Sequence, residues 1–225
     1  MLLRGINVMK YKLAIFDMDG TILDTLEDLA DGLNHVLSKY KYPVCSIDQV
    51  RSYVGNGIRR LIERGAPDGL SEDVIDQLVE DFTPYYKANC TNKTKPYDGI
   101  KPLLNTLKEQ GCLVAVVSNK VDSAVKELCN HYFPSVFDCA IGERDGIRKK
   151  PAPDSVLETM AQLKVDMKDA VYIGDSEVDI QTAKNAKIDC ISVDWGFRDH
   201  DYIKASGAEV IVSKPMEIAN LITRC

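Results

Sequence analysis

Short apolar runs that alternate with amphipathic helix patterns constrain the fold of this chain more than any other feature. Each run is four to six residues long, the length of a buried strand, and several end in polar residues. Between most of the runs, apolar residues recur at helical spacing. Strands that alternate with helices of this length predict βαβ units and therefore a parallel sheet. The six runs cover residues 12–16, 112–117, 137–141, 170–173, 190–193 and 209–212.

One long segment, residues 25–97, interrupts this alternation and contains almost no strand-like run. Its apolar residues recur at helical spacing over residues 26–40 and 74–86, and Ser46 with Gln49 matches the capping box that opens a helix. A helical block of this size, inserted after the first strand, is typical of a separate small domain.

The chain therefore predicts two domains. The core domain comprises residues 1–24 and 98–225, and the helical domain comprises residues 25–97. We expect the hinges near residues 23–24 and 95–99, because a proline and a glycine in the second of these segments break the helical pattern.

Composition and charge exclude several classes of protein. The 225 residues are 45% hydrophobic and 28% charged, as in ordinary globular proteins, and the formal net charge is −6. This acidity argues against nucleic acid as a partner, because nucleic-acid binding depends on clustered Lys and Arg. It does not exclude a small phosphorylated metabolite, which one local cation or metal ion can attract.

The sequence also carries expectations about compartment and assembly. No apolar run approaches the roughly 20 residues that cross a bilayer, and the first residues lack the apolar core of a signal peptide. We expect a cytoplasmic protein with no membrane partner, either a monomer or a homodimer. The seven cysteines are scattered and contain no C-x-x-C pair, which predicts free thiols. Because the first run begins just after Met9, residues 1–8 are interpreted as an extension from an early start codon.

Polar residues follow the predicted strands at the edge where an open parallel sheet binds ligands. Asp17 and Asp19 come directly after the first run, and Gly20 permits a tight turn beside them. Two carboxylates separated by one residue suit a nucleophile and a general acid/base that act on the same atom. A glycine directly after the second Asp excludes an EF-hand. A solvated turn is the alternative interpretation of this pair.

A second acidic pair, Asp175 and Asp179, follows the run at residues 170–173. The two residues are one helical turn apart, so together with Asp17 they predict a carboxylate site for a hard cation. Asp175 could instead cap the helix that follows.

Two further strand ends carry groups that suit a phosphorylated ligand. Ser118 and Asn119 offer a hydroxyl, an amide and backbone N–H groups near a helix start. Lys150 stands between basic and proline residues and can offset phosphoryl charge. A plain turn and a solvated basic pair are the respective alternatives.

This set of motifs resembles the haloacid dehalogenase superfamily. The four motifs occur in order as DMDGT at residues 17–21, Ser118, Lys150 within KKPAP, and GDSEVD at residues 174–179. The resemblance spans residue 12 to about residue 212. It implies an α/β fold in which a Rossmann-like parallel-sheet core carries an inserted, all-helical type-one cap domain.

The resemblance also implies a magnesium-dependent phosphatase that works through an aspartyl phosphate. Asp17 would attack phosphorus, and Asp19 would protonate the leaving oxygen and later activate water. Mg²⁺ would be held by Asp17, the backbone carbonyl of Asp19 and Asp175, with Asp179 supporting it directly or through water. Lys150 would offset the phosphoryl charge. An acid/base at Asp19 distinguishes a phosphatase from the dehalogenase branch.

Within the helical segment, residues 53–64 resemble the cap loop of phosphoglycolate phosphatases, which predicts 2-phosphoglycolate or a similar small acid as substrate. Two glycines there let the backbone approach a ligand, and an arginine could meet a carboxylate. The predicted substrate-binding residues are Gly20, Thr21, Ser118, Asn119, Gly55, Asn56, Gly57 and Arg60.

Several alternatives remain open at this point. On the same scaffold they are a pyrophosphatase, a sugar-phosphate phosphatase, a nucleotidase and a β-phosphoglucomutase. The mutase is disfavoured, because Leu29 occupies the position where that relative carries a cap histidine. From another class, the chain could be a metabolite-binding regulatory protein, although all the core motif residues are present. One departure from the family pattern is Lys187, where a small residue, usually Gly, is expected.

Overall fold

The predicted apolar runs form a six-stranded sheet in the computed structural model, which describes residues 9–223. All its neighbouring strands are parallel, in the order β5-β4-β1-β6-β7-β8, and the two remaining strands pair with each other. The prediction about residues 1–8 lies outside the described residues. The strands are β1 (Leu13–Phe16), β2 (Leu23–Asp24), β3 (Lys95–Pro96), β4 (Leu113–Val121), β5 (Cys139–Glu143), β6 (Ala170–Gly174), β7 (Asp189–Val193) and β8 (Ile211–Val212).

The helices fall into the two groups that the sequence predicts. The first four lie between β2 and β3 and form the helical insert, and the capping box at Ser46 and Gln49 is confirmed. None of the helices between residues 9 and 223 is both long and apolar enough to cross a membrane. The helices are α1 (Leu26–Lys39), α2 (Ile47–Tyr53), α3 (Ile58–Gly65), α4 (Glu72–Asn89), α5 (Ile100–Glu109), α6 (Asp122–Tyr132), α7 (Asp154–Leu163), α8 (Glu177–Ala186), α9 (His200–Ala205) and α10 (Pro215–Ile222).

The sheet is buried on both faces, which explains why its central strands are apolar throughout. Successive strand residues point to opposite faces, so Leu13 and Ile15 join one hydrophobic cluster while Ala14 and Phe16 join the other. The second cluster continues into the helical insert, where it includes residues such as Leu33. Helix α1 packs mainly on α4, α2 and α3, so burial of its apolar stripe holds the helices of the insert together.

The predicted hinge segments lie side by side as a short antiparallel ribbon. Leu23 pairs with Pro96 and Asp24 pairs with Lys95. The chain thus leaves and re-enters the core at one place. The division of the chain into domains at residues 25 and 97 stays a prediction.

Buried Asp28, in the first turn of α1, reinforces this junction. Its carboxylate accepts hydrogen bonds from the backbone N–H of Lys93 at 3.0 Å and of Thr94 at 2.8 Å. The start of the insert is therefore tied to its return.

Candidate active site

Three carboxylates meet at the carboxyl edge of the sheet. Asp17 follows β1 and Asp175 follows β6, and Phe16 pairs with Ile173 in these neighbouring parallel strands, so their carboxyl ends lie at the same edge. Asp179 reaches the same place from the first turn of α8. Each of the three offers an oxygen within 4.8 Å of the others, and all three residues are buried. The structure thus brings together residues that are more than 150 positions apart in the chain.

Lys150 is the cation of this cluster. Its Nζ lies 2.9 Å from Oδ1 of Asp17 and 2.7 Å from Oδ1 of Asp179, and its side chain is 3% exposed. It also donates at 3.0 Å to the hydroxyl of Tyr172, which itself donates to the carbonyl of Val117. Burial alone would lower the pKa of Lys150, but Asp17 and Asp179 outweigh it and hold that pKa well above its ordinary value. Lys150 is therefore a fixed positive charge.

The acidic cluster is electrostatically unfavourable on its own. Burial raises the pKa of Asp17 to about 7 against the opposing effect of Lys150. Burial, followed by repulsion from Asp179 and Asp17, raises the pKa of Asp175 well above its ordinary value. The buried Oδ1 of Asp17 also lacks a hydrogen bond, although it forms the ion pair with Lys150. Carboxylate oxygens are the ligands that hard divalent cations prefer, so this donor set fits such an ion.

Glycine and hydroxyl groups fix the orientation of Asp175. Its carboxylate accepts hydrogen bonds from the backbone N–H of Phe197 at 2.7 Å and from the hydroxyl of Thr21 at 3.2 Å. A Cβ on Gly20 or Gly196 would collide with this carboxylate, and Gly20 has a φ of +83°. Gly20 and Thr21, predicted to contact the substrate, thus lie against Asp175.

Asp179 is held mainly by protein groups. Its Oδ2 accepts hydrogen bonds from the backbone N–H of Ser176 at 3.1 Å and from the hydroxyl of Ser176 at 2.6 Å, while Oδ1 faces Lys150. This geometry suits a supporting role beside the cation site.

A local irregularity in β4 places three successive residues at the site. Val117 pairs with Ile141 and Val121 pairs with Glu143, so four steps along β4 match only two along β5. Ser118, Asn119 and Lys120, which lie within this bulge, are all buried. The side-chain amide of Asn119 donates to the carbonyl of Lys150 at 3.1 Å and so links two motifs.

Lys120 is a site residue that the sequence analysis missed. Its Nζ donates to both carboxylate oxygens of Asp19, at 2.9 and 3.2 Å, and to the hydroxyl of Tyr86 on α4 at 2.8 Å. Burial alone would lower the pKa of Lys120, but Asp19 and Tyr86 outweigh it and raise that pKa. A lysine directly after Ser118-Asn119, inside an apolar strand, was the signal that could have identified it.

The net charge of the acidic cluster and its two lysines matches the charge of one divalent cation. Four carboxylates face two ammonium groups, so two negative charges remain uncompensated when all the groups are ionised. The carboxylates belong to Asp17, Asp19, Asp175 and Asp179, and the ammonium groups belong to Lys120 and Lys150.

A cleft of about 610 Å³, counting the part open to solvent, lies between this edge and the helical insert. Its size suits a small molecule rather than a polymer. The core side is mostly polar and includes Asp17, Asp19, Ser118, Asn119, Lys120 and Asp175. The insert side is apolar apart from its backbone and comprises Leu29, Val54, Gly55, Gly57, Ile58 and Leu61.

Four of the predicted substrate-binding residues, Gly20, Thr21, Asn56 and Arg60, are not among the residues that line this cleft. The side chain of Arg60 is 64% exposed and pairs with Glu63 at 2.6 Å. Helix α3 turns its apolar residue Leu61 toward the cleft and Arg60 toward solvent. Instead, a cation that the sequence analysis did not select, Arg198, lines the cleft.

Comparison with known proteins defines the family. The family model of haloacid dehalogenase-like hydrolases matches residues 14–193, which is most of the chain, so the chain belongs to this family. Phosphoglycolate phosphatase from Aquifex aeolicus is 31% identical over 94% of this chain and 96% of the relative. Phosphoglycolate phosphatase from Mesorhizobium japonicum is 34% identical over 85% of this chain and 86% of the relative.

A solved structure gives the same result. A protein from Lactobacillus delbrueckii subsp. bulgaricus, provisionally described as a phosphoglycolate phosphatase, is similar with a TM-score of 0.91 and 38% identity, covering 96% of this chain and all of that one. The predicted superfamily, fold and enzyme class are confirmed. The chain is a phosphoric monoester hydrolase that resembles phosphoglycolate phosphatases.

Proposed function

We propose that the protein hydrolyses a small phosphorylated acid, 2-phosphoglycolate in the first place, in the cytoplasm and with Mg²⁺ as cofactor. The observation that carries this proposal is the buried cluster of Asp17, Asp175, Asp179 and Lys150 at the base of a small cleft. The resemblance to phosphoglycolate phosphatases over most of the chain supports the substrate.

Asp17 is the nucleophile of the proposed reaction. Its carboxylate attacks phosphorus and forms an aspartyl phosphate, while the bond to the leaving oxygen breaks. Lys150, fixed between Asp17 and Asp179, restrains the nucleophile and offsets negative charge on the phosphoryl oxygens. Ser118 and Asn119 line the cleft and provide donors for those oxygens, whereas the hydroxyl of Thr21 donates to Asp175.

Asp19 is the general acid and then the general base. It gives a proton to the leaving oxygen, and in the second step it takes a proton from the water that cleaves the aspartyl phosphate. The contact with Lys120 holds the Asp19 carboxylate at the cleft between these two events.

The proposed magnesium site uses the side chains of Asp17 and Asp175 and the backbone carbonyl of Asp19, with Asp179 in support. When bound, Mg²⁺ would neutralise the excess negative charge and polarise the phosphoryl group. The charge balance of the site and its hard oxygen donors support this assignment.

We further propose that residues 25–97 act as a type-one cap that covers the reacting groups and excludes water. Leu29 lines the cleft and is apolar, so the insert supplies no acid or base at that position. This favours hydrolysis over the mutase alternative.

The central test is the substitution Asp17→Asn with a panel of phosphate esters, each assayed with and without Mg²⁺. We expect the variant to keep its circular dichroism spectrum and to lose Mg²⁺-dependent phosphate release by at least about 10³-fold, because an amide cannot act as the nucleophile. Residual activity close to that of the wild type would refute the mechanism. Poor turnover of 2-phosphoglycolate by the wild type, relative to the other esters, would refute the substrate.

A further inference from the structure

Arg198 lies in the loop between β7 and α9 and lines the cleft. Among residues 9–223, only Lys120 and Arg198 both line the cleft and carry a positive charge. The ammonium group of Lys120 is already bound to Asp19 and Tyr86. Arg198, unlike Lys120, does not bind Asp19, the proposed acid/base.

The contacts of Arg198 hold its guanidinium in place but leave part of it available. Its Nη1 donates to the carbonyl of Arg51 at 2.9 Å and its Nη2 donates to the carbonyl of Val54 at 3.0 Å, both in the helical insert. Its Nε lies 3.4 Å from Glu177, and the side chain is 11% exposed. A guanidinium has five N–H groups, so one on each terminal nitrogen has no partner among these three contacts.

The backbone next to Arg198 is open enough to admit a ligand. A Cβ placed on Gly55, which also lines the cleft, would lie 3.9 Å from Nη2 of Arg198. Gly55 has a φ of +111°, a conformation that favours glycine. The absent side chain leaves space for a small anionic group beside the guanidinium.

We propose that Arg198 binds the carboxylate of the substrate and so selects phosphorylated acids over uncharged phosphate esters. This inference rests on the proposed function and names the residue that would determine its specificity. A fixed guanidinium favours a carboxylate because the two groups form paired, charge-assisted hydrogen bonds. Because two carbonyls of the insert orient Arg198, recognition of the acid also depends on the insert being seated on the core.

The test compares two substrates that differ in this group alone. 2-Phosphoglycolate carries a carboxylate where ethyl phosphate carries a methyl group. The ratio of their kcat/KM values is measured for the wild type and for Arg198→Met, Arg198→Lys, Lys149→Gln and Lys204→Gln. Lys204 is exposed on α9 and does not line the cleft. The substitution Lys204→Gln therefore removes one positive charge, as Arg198→Met does, but outside the cleft.

We expect Arg198→Met to lower the ratio by about tenfold to a hundredfold, which corresponds to one lost hydrogen bond to a charged group. Arg198→Lys should keep the ratio between the values of the wild type and of Arg198→Met, and Lys204→Gln should leave the ratio at its wild-type value. Thermal unfolding of each variant reports separately on any loosening of the insert.

Four outcomes would overturn the inference. An equal fall in kcat/KM for both substrates in Arg198→Met would mean that the residue only holds the insert. A fall in the ratio in Lys149→Gln but not in Arg198→Met would assign recognition to Lys149, whose Nζ lies near Gly57. A wild type that hydrolyses ethyl phosphate as well as 2-phosphoglycolate would remove the basis for acid recognition but leave the phosphatase chemistry intact, whereas hydrolysis of neither ester would refute the proposed function as well.

Discussion

Two buried lysines contact three of the four carboxylates of the active site. Lys150 contacts Asp17 and Asp179, whereas Lys120 contacts Asp19. The proposed nucleophile and the proposed acid/base therefore have separate cations. Because both ammonium groups are almost completely buried, removing either one leaves an uncompensated negative charge in a region of low dielectric constant.

Substitution of Lys120 tests its part in placing Asp19. We expect Lys120→Met to lower kcat by about tenfold to a hundredfold with an alkyl phosphate, because the acid/base carboxylate loses its position. The loss should be smaller with para-nitrophenyl phosphate, whose leaving group needs little protonation. Steady-state kinetics with both esters measures this difference, with Lys126→Met, an exposed residue of α6, as the control. An equal loss for both esters would contradict a role through Asp19.

Magnesium should stabilise the folded protein, because it relieves repulsion among buried carboxylates. At about a hundred times its Kd, a ligand that binds only the folded state contributes about 2.7 kcal/mol. We expect Mg²⁺ to raise the Tm of the wild type and to have less than half of this effect on Asp175→Asn, which loses a ligand. Differential scanning calorimetry measures both shifts. Asp145→Asn, which changes an exposed carboxylate, should respond as the wild type does.

The residues of the site divide into those that sequence reasoning reaches and those that it does not. Asp17 and Asp175 follow apolar strand runs, so a parallel sheet was enough to predict that they meet. Lys120 and Arg198 acquire their positions from the helical insert, through Tyr86 and through two backbone carbonyls. Those contacts depend on how the insert packs on the core, which no periodicity in the sequence specifies.

At the scale of elements, the end of helix α8 shows why the family pattern favours a small residue, usually Gly, at the position of Lys187. Lys187 follows the last turn with a φ of +58°, in the left-handed region that favours glycine. Its backbone N–H bonds to the carbonyls of the preceding turn, so the cap forms in spite of the side chain. The motif thus survives the substitution at a conformational cost of about 1 kcal/mol.

Replacing Lys187 with glycine should remove the conformational strain at this position. We expect Lys187→Gly to raise the free energy of unfolding by about 1 kcal/mol, because glycine adopts this conformation without strain. The same change at Lys184, inside α8, should lower it by about 1 kcal/mol, because glycine weakens a helix interior. Urea denaturation followed by circular dichroism distinguishes the two. A Lys187→Gly protein no more stable than the wild type would show that the left-handed turn carries no strain.

The elements themselves were largely predictable, with one instructive exception. The runs at residues 12–16 and 170–173 became β1 and β6 because both faces of the sheet are buried. The run at residues 112–117 continues as β4 through its polar residues to Val121, beyond the predicted end. Buried polar side chains extend this strand because the site supplies their hydrogen-bond partners, which the hydrophobic pattern alone does not reveal.

At the scale of the whole molecule, the β2–β3 ribbon joins the insert to the core, and Asp28 ties the two ends of the insert together. The two oxygens of Asp28 accept backbone N–H groups from the returning chain. On the same helix, Asp31 makes an exposed ion pair with Lys93 at 2.8 Å. The two carboxylates therefore offer a matched comparison of a buried and an exposed contact to one segment.

We expect Asp28→Asn to lower the free energy of unfolding by about 1.5–3 kcal/mol, because an NH₂ group then faces backbone donors. Asp31→Asn should cost less than about 1 kcal/mol, as exposed ion pairs do. Urea denaturation measures both values, and limited proteolysis reports whether the segment near Thr94 becomes accessible. Similar losses for the two variants would mean that Asp28 does not stabilise the junction.

The paired strands β2 and β3 have a consequence for how such an enzyme can change. Since the chain departs and returns through adjacent, hydrogen-bonded residues, the four intervening helices form a side branch off an otherwise continuous core. A helical segment of different length or sequence could replace the insert between the same two strands without changing the path of the core backbone that carries the carboxylates. Such an exchange would replace the insert wall of the cleft and the carbonyls that contact Arg198, while Arg198 and the carboxylates would stay in the core.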